Sequence, residues 1–268
     1  MLLIALAVLV LAGSPLIAQP PSEKEAALGR HLAAEVRRRT TALENLPIQN
    51  YLDRLGQRIA AQFPDPKPPF SFNAIAEDPC PSMHEPVALL GGYVFVPAAL
   101  FLAARSEAEF AGMLAHAMAH IARRHGVLSA PRDVVTAVDV PLIFFGGWAV
   151  RCSELGPLGL KASQRSDELE ADLLAVQTVA KAGFDPKAPW RYVERVQVPG
   201  AGTPWLPDRD QRLAAMSSAI EKLPPVDYAP ASADEFATAQ QEVQRVSGQP
   251  ARSEQRPPPS LKRPTTPR

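Results

Sequence analysis

His116 and His120 stand four residues apart in HAMAHIARRH, residues 116–125. On a helix that spacing places them one above the other on a single face. Two imidazoles so placed can grip one metal ion, as in an H-E-x-x-H zinc helix, whose Glu acts as general base. Ala117 occupies the Glu position here. The residues thus predict a site that can hold zinc and lacks the adjacent base, although a His pair at this spacing also suits a solvated helix face. A hydrolytic zinc site takes three protein ligands and keeps one open position. SDELEADLLAV offers the third as Glu168, with Asp172 one turn later on the same face. Asp172 is then placed to accept the free ring N–H of a ligand His and so fix its tautomer and orientation.

These groups need elements to hold them. Ser106 with Glu109 has capping-box spacing and opens an apolar-rich helix that carries the His pair and stops at Gly126. A second helix, from about Ser166 to Ala182, carries Glu168 and Asp172 and ends at Gly183, and FDPKAPW leads into another. Upstream, Ser22 with Glu25 opens a helix to about Thr40 that turns Ala26, Leu28, Leu32, Ala33 and Val36 inward; another runs from about Pro47 to Gln62 on Tyr51, Leu52, Leu55, Ile59 and Ala60. PPFSFNAIAED and ALLGGYVFVP read as strands. The expected fold class is α+β, mostly helical with a small antiparallel sheet.

The chain has 268 residues, with 28 Lys and Arg against 28 Asp and Glu, so no global field recruits nucleic acid. Residues 1–18 form an apolar run followed by small residues and Pro, which reads as a signal peptide for a periplasmic or extracellular protein. The missing Lys or Arg before the run leaves an uncleaved anchor open. Cys80 and Cys152 would meet an oxidising compartment, either paired or as buried thiols. VDVPLIFFGGWAV, broken by Pro and Gly, is a core segment or a point of peripheral membrane contact. Residues 19–228 are expected to form one domain, and 229–268 a disordered, Pro-rich basic tail.

The stretches ALGRHLAAEV, YLDRLGQRIAAQ, ALLGGYVFVPAAL, SEAEFAGMLAHAMAHIARRH, RSDELEADLLAVQTVAKAGFDP and PWLPDRDQRL together resemble metallopeptidase family forty-eight, the HtpX-like zincins, in its exported bacterial form. The resemblance implies a zincin-like fold with zinc on His116, His120 and Glu168, and a supporting Arg165. Three departures stand out. Ala117 replaces the catalytic Glu, Leu206 falls where a THP motif has its His, and Glu85 stands where the family shows Asn. Losing the base removes a factor of about 10² to 10⁴ in rate. Glu85 or Glu170 is the residue that could replace it, while His125 is a packing or supporting His, and His31 and His84 are surface residues. In zincins an edge strand beside the metal pairs with extended substrate. Here Gly91, Gly92, Tyr93 and Val94 are the expected segment. The expected function is a zinc-binding pseudopeptidase for extended or unfolded polypeptide. The alternatives are an active endopeptidase with another base, or a helical domain without metal.

Overall fold

The computed structural model describes residues 23–65, 67, 69–78, 83–125, 161–200, 207–225, 228 and 233–248. The expected leader 1–18, Cys80, Cys152, the apolar run 138–150 and Leu206 lie outside the described residues.

Helices α1 (Glu23–Arg39) and α2 (Leu46–Ala60) open the described chain. Leu32, Ala33 and Val36 of α1 are buried, as are Tyr51, Leu52, Leu55, Ile59 and Ala60 of α2, so the helical period carries through to packing. The α2 start is fixed by Asn45 Oδ1, which accepts the Ile48 N–H at 3.1 Å, and by Pro47 in the first turn.

The sheet contains β1 (Ser71–Ile75), β2 (Val87–Leu89) and β3 (Tyr93–Pro97), with β3 in the centre. A 3₁₀ turn at Leu90–Gly92 folds β2 back on β3 as an antiparallel pair, Val87 opposite Phe95 and Leu89 opposite Tyr93. Gly92 has φ 92°, and a Cβ there would run into the Pro69 carbonyl. The expected antiparallel sheet is corrected on its other side, because β1 runs parallel to β3, from Ser71 opposite Tyr93 to Ile75 opposite Pro97. β1 ends beside Pro97 and β2 begins beside Phe95, both toward the same end of β3. Successive β3 side chains face opposite ways. Val94 and Val96 enter the main core, while Phe95 and Ile75 meet Ala33 and Val36 of α1.

Helix α3 (Ala98–Ala103) follows β3 directly, and α4 (Glu107–Ala122) comes next. Ser106 Oγ accepts the Glu109 N–H at 3.2 Å, half of the expected capping box. The Glu109 carboxylate takes the Arg105 N–H instead of that of Ser106, at 2.8 Å, and pairs with Arg195. Nearly every α4 side chain is buried, and the helix packs against α2, both β2 and β3, and the next two described helices. These are α5 (Lys161–Lys181) and α6 (Lys187–Val196). Gly183, at φ 85°, closes α5: its N–H bonds Ala180 O at 3.0 Å, and Phe184 N–H bonds Val179 O at 2.8 Å. Helix α7 (Arg209–Ile220), capped by Asp208, packs on α5 and α6.

The polar tail expected from 229 is corrected at its start, since α8 (Ala233–Ser247) packs on α2 and α3. Phe236, Ala239 and Val243 are its buried stripe, and Gln240 Nε2 donates to the α3 carbonyls of Phe101 at 2.7 Å and Ala104 at 2.9 Å. Three apolar residues at helical spacing suffice here, because burying each large one contributes about 1.5–3 kcal/mol. No helix among the described residues is long and apolar enough to cross a membrane.

Candidate metal centre

A helix that is apolar on all sides belongs in the core. The histidines of α4 are therefore carried inside, and α5 lies alongside to bring Glu168 to them. His116 Nε2 and His120 Nε2 are 3.1 Å apart. Glu168 Oε2 lies 3.3 Å from the first and Oε1 3.6 Å from the second. Four-coordinate bonds of 2.0–2.1 Å place neighbouring ligand atoms about 3.3 Å apart, which is the spacing of these donors. Glu168 Oε2 is buried without a hydrogen-bond partner. Such an atom is costly unless something fills the space before it. The residues present thus fit a metal ion, and His116, His120 and Glu168 are the donors that converge.

Asp172 takes the expected place behind His116, with Oδ1 2.9 Å from Nδ1, although the contact lacks the alignment of a good hydrogen bond. Its carboxylate is gripped by Arg212, Nε to Oδ2 at 2.8 Å and Nη2 to Oδ1 at 2.7 Å, both side chains being 0% exposed. Arg212 also reaches Gln197 Oε1 at 3.3 Å and Glu85 Oε1 at 3.4 Å. The expectation for Arg165 is corrected: its guanidinium donates to Gln211 at 3.1 Å, and the arginine serving the site is Arg212. Arg212 was in view in PDRDQRL, but no local pattern links it to Asp172, 40 residues earlier.

A cavity of about 270 Å³ opens beside the three donors. Ala117, only 2% exposed, Ala88 and Glu85 are on its wall. Of the two carboxylates considered as replacements for the missing base, Glu85 is at this cavity. Glu170 faces elsewhere, accepting from Arg123 Nε at 2.6 Å and lying 3.2 Å from His125 Nε2. His125 lies against His120, whereas His31 is exposed and the half-buried His84 pairs with Asp78.

The expected substrate segment is corrected as well. Tyr93 and Val94 are in the central strand with both edges paired, and Gly91 and Gly92 form the turn before it. Among the described residues, the strand edge left unpaired near the cavity is that of β2, Val87–Leu89. Knowing which of two strands is the edge requires the pairing order, which a single stretch does not reveal.

The site's charges are strongly coupled. Burial opposes charge on His116, but the Asp172 and Glu168 carboxylates outweigh it and push the pKa up to about 10. Burial takes His120 down to about 4, with the charges of His116 and His125 acting the same way and Glu168 opposing. Burial would raise Glu168 and Asp172. His120 and His116 pull the first below the usual carboxylate range, and Arg212 and His116 pull down the second. Glu85 is pushed up by burial, with Arg212 opposing.

The sequence model described as peptidase family M48 matches residues 48–247. A Vibrio cholerae protein, provisionally named a beta-barrel assembly-enhancing protease, is 33% identical over 166 residues, 57% of this chain and 34% of its own length. The beta-barrel assembly-enhancing protease of Escherichia coli is 26% identical over 186 residues, 65% of this chain and 37% of its own. That of Yersinia pestis is 23% identical over 191 residues, covering 65% and 38%. The chain thus spans little more than a third of the length of these relatives.

Proposed function

The chain belongs to peptidase family M48, and we propose that it is a pseudopeptidase of that family, a zinc-binding domain outside the cytoplasm that holds extended or unfolded polypeptide without cutting it. The observation that carries this reading is the wall of the cavity. Three convergent donors are in place, and the neighbouring position on α4 carries the methyl group of Ala117. Zinc at the donors would supply a Lewis acid for a carbonyl or a water. The protein side of hydrolysis also needs a group that takes a proton from water and returns it to the leaving amine, and a methyl group does neither. Binding needs no such group. The unpaired edge of β2 offers main-chain partners to an extended segment, and Ala88 and Pro86 bring that edge to the cavity. The apolar run at 1–18 supports export, and the relatives' names support a polypeptide class, chains not yet folded into β-barrels.

A second reading, an active endopeptidase, is favoured by one observation: Glu85 is a carboxylate on the same cavity wall. Purified full-length chain should contain one zinc per molecule, lost in His116→Ala, and a chain without zinc overturns both readings. The zinc-loaded chain should bind a labelled unfolded protein and leave it intact. Chelator-sensitive cleavage that His116→Ala abolishes would overturn the pseudopeptidase, and loss of that cleavage in Glu85→Gln would assign the base.

A further inference from the structure

Helix α4 ends through a backbone step that glycine usually makes. Arg124 takes it, at φ 56°. The Arg124 N–H donates to Ile121 O at 3.0 Å and the His125 N–H to His120 O at 2.9 Å, the paired bonds of a Schellman motif. This motif folds a residue back onto the one five positions before it, and here those two residues are His125 and His120. Their rings are 5.0 Å apart at 78°, with Nδ1 facing Nδ1 at 3.1 Å. The turn is tied down at Arg124 by an ion pair to the buried Glu25 of α1. On its far side, His125 Nε2 is 3.2 Å from Glu170 Oε2, and Glu170 accepts from Arg123 Nε at 2.6 Å.

We propose that His125 is a positioning residue of the metal centre, fixing the ring of His120 through Nδ1 while Glu170 and Arg123 fix His125. The inference rests on the reading of His120 as a zinc ligand. His120 turns Nε2 toward His116 and Glu168, so a metal there leaves its ring proton on Nδ1. That proton is donated to His125 Nδ1. His125 then carries its own proton on Nε2 and donates it to Glu170, a carboxylate, which can only accept. Each link thus has one donor and one acceptor, and the line has one direction. On the other side, His116 Nδ1 lies 2.9 Å from Asp172, an ion-pair contact, with Asp172 in the grip of Arg212. Both terminal carboxylates belong to α5, two and four residues after Glu168, and each is clamped by an arginine. One helix therefore contributes a ligand and the anchors of the other two.

Zinc affinity of the full chain, measured by competition with a chromophoric chelator, tests this. His125→Leu should weaken zinc by about 10- to 100-fold. His125→Gln, which can accept from His120 and donate to Glu170, should recover most of the loss. Glu170→Ala, at a side chain 38% exposed and so without risk to the fold, should weaken zinc in the same direction. The visible spectrum of the cobalt-substituted protein should change in His125→Leu and return toward wild type in His125→Gln. Wild-type zinc binding with both His125→Leu and Glu170→Ala within about threefold of it would overturn the proposal and leave the zinc site standing. Equal loss in His125→Leu and His125→Gln with Glu170→Ala unaffected would also overturn it. A wild type that binds no zinc would overturn the site itself.

Discussion

Ala117→Glu should turn the cavity from a binding site into a hydrolytic one. Position 117 is next to His116 on α4 and on the wall of a cavity of about 270 Å³, so a longer side chain there has open space to enter. A positioned base contributes about 10² to 10⁴ in rate. At about 1.36 kcal/mol for each factor of ten, that is roughly 2.7–5.4 kcal/mol of barrier. There is a cost in the metal-free chain. The new carboxylate joins Glu85, Glu168 and Asp172 in a site where Arg212 is the fully buried cation, so the apo variant should melt below apo wild type and zinc should close the gap. The assay is cleavage of a fluorescently labelled unfolded protein by zinc-loaded wild type, Ala117→Glu and the double variant Ala117→Glu/His116→Ala, with zinc content measured on the same samples. At least a hundredfold gain in Ala117→Glu, lost in the double variant and with chelator, is the expected result. A fully loaded Ala117→Glu that cleaves no faster than wild type refutes the argument that the missing carboxylate is what limits this site.

Other predictions probe the scaffold. Arg212→Met takes two charge-assisted hydrogen bonds from the buried Asp172 and should cost about 3–5 kcal/mol in unfolding free energy, whereas Arg165→Ala should stay within ~0.5 kcal/mol of wild type; equal losses in denaturant titrations would return the supporting role to Arg165. Phe236→Ala should cost about 3–5 kcal/mol, because Phe236 is buried in the aromatic cluster with Tyr51 and Phe110; a loss below 1 kcal/mol in the same titrations would mean that α8 is dispensable. Burial raises the pKa of Glu107, with the hydrogen bond from Tyr51 opposing. The stability this group contributes is present below its ordinary value of 4.5 and lost as pH rises through the raised value. Glu107→Gln should therefore gain melting temperature relative to wild type as pH rises above 4.5, and a relative loss would reverse the sign of the argument.

What could be read from the chain was what is local. The four-residue spacing of His116 and His120, the cap at Ser106 and the stop at Gly183 are each set within one turn of helix, and all three are found. Glu168 and Asp172 stand one turn apart on one helix face, and it was the family resemblance that implied Glu168 as the ligand joining those histidines. Non-local facts were not legible. That β3 is central and β2 the edge depends on a parallel partner joined from outside the hairpin. Arg212 meets Asp172 across two helices, and an arginine in a polar stretch reads as surface until a buried acid claims it. In α8 the period of Phe236, Ala239 and Val243 is diluted by Asp, Glu, Gln and Thr, and only packing on α2 and α3 makes those three residues a face.

Ala117 and Glu85 have to be considered as a pair. The chain has no carboxylate at 117 on the helix and has one at 85 on the segment before β2, and both positions line the same cavity. Glu85, Glu168 and Asp172 surround one fully buried arginine, Arg212, and Asp167 is on the same cavity wall. A metal ion at the three donors would offset negative charge in a region where unbalanced charge is expensive. Without that ion, burial opposes charge on His116 but the carboxylates of Asp172 and Glu168 drive it up to about 10, and burial raises Glu85 from its ordinary value. A carboxylate at 85 adds to the electrostatic demand for a cation, while Ala117 leaves no carboxylate next to His116 on α4. A demand for metal and the absence of a base at 117 are therefore compatible in one site, because the first depends on the charges together and the second on where each of them sits.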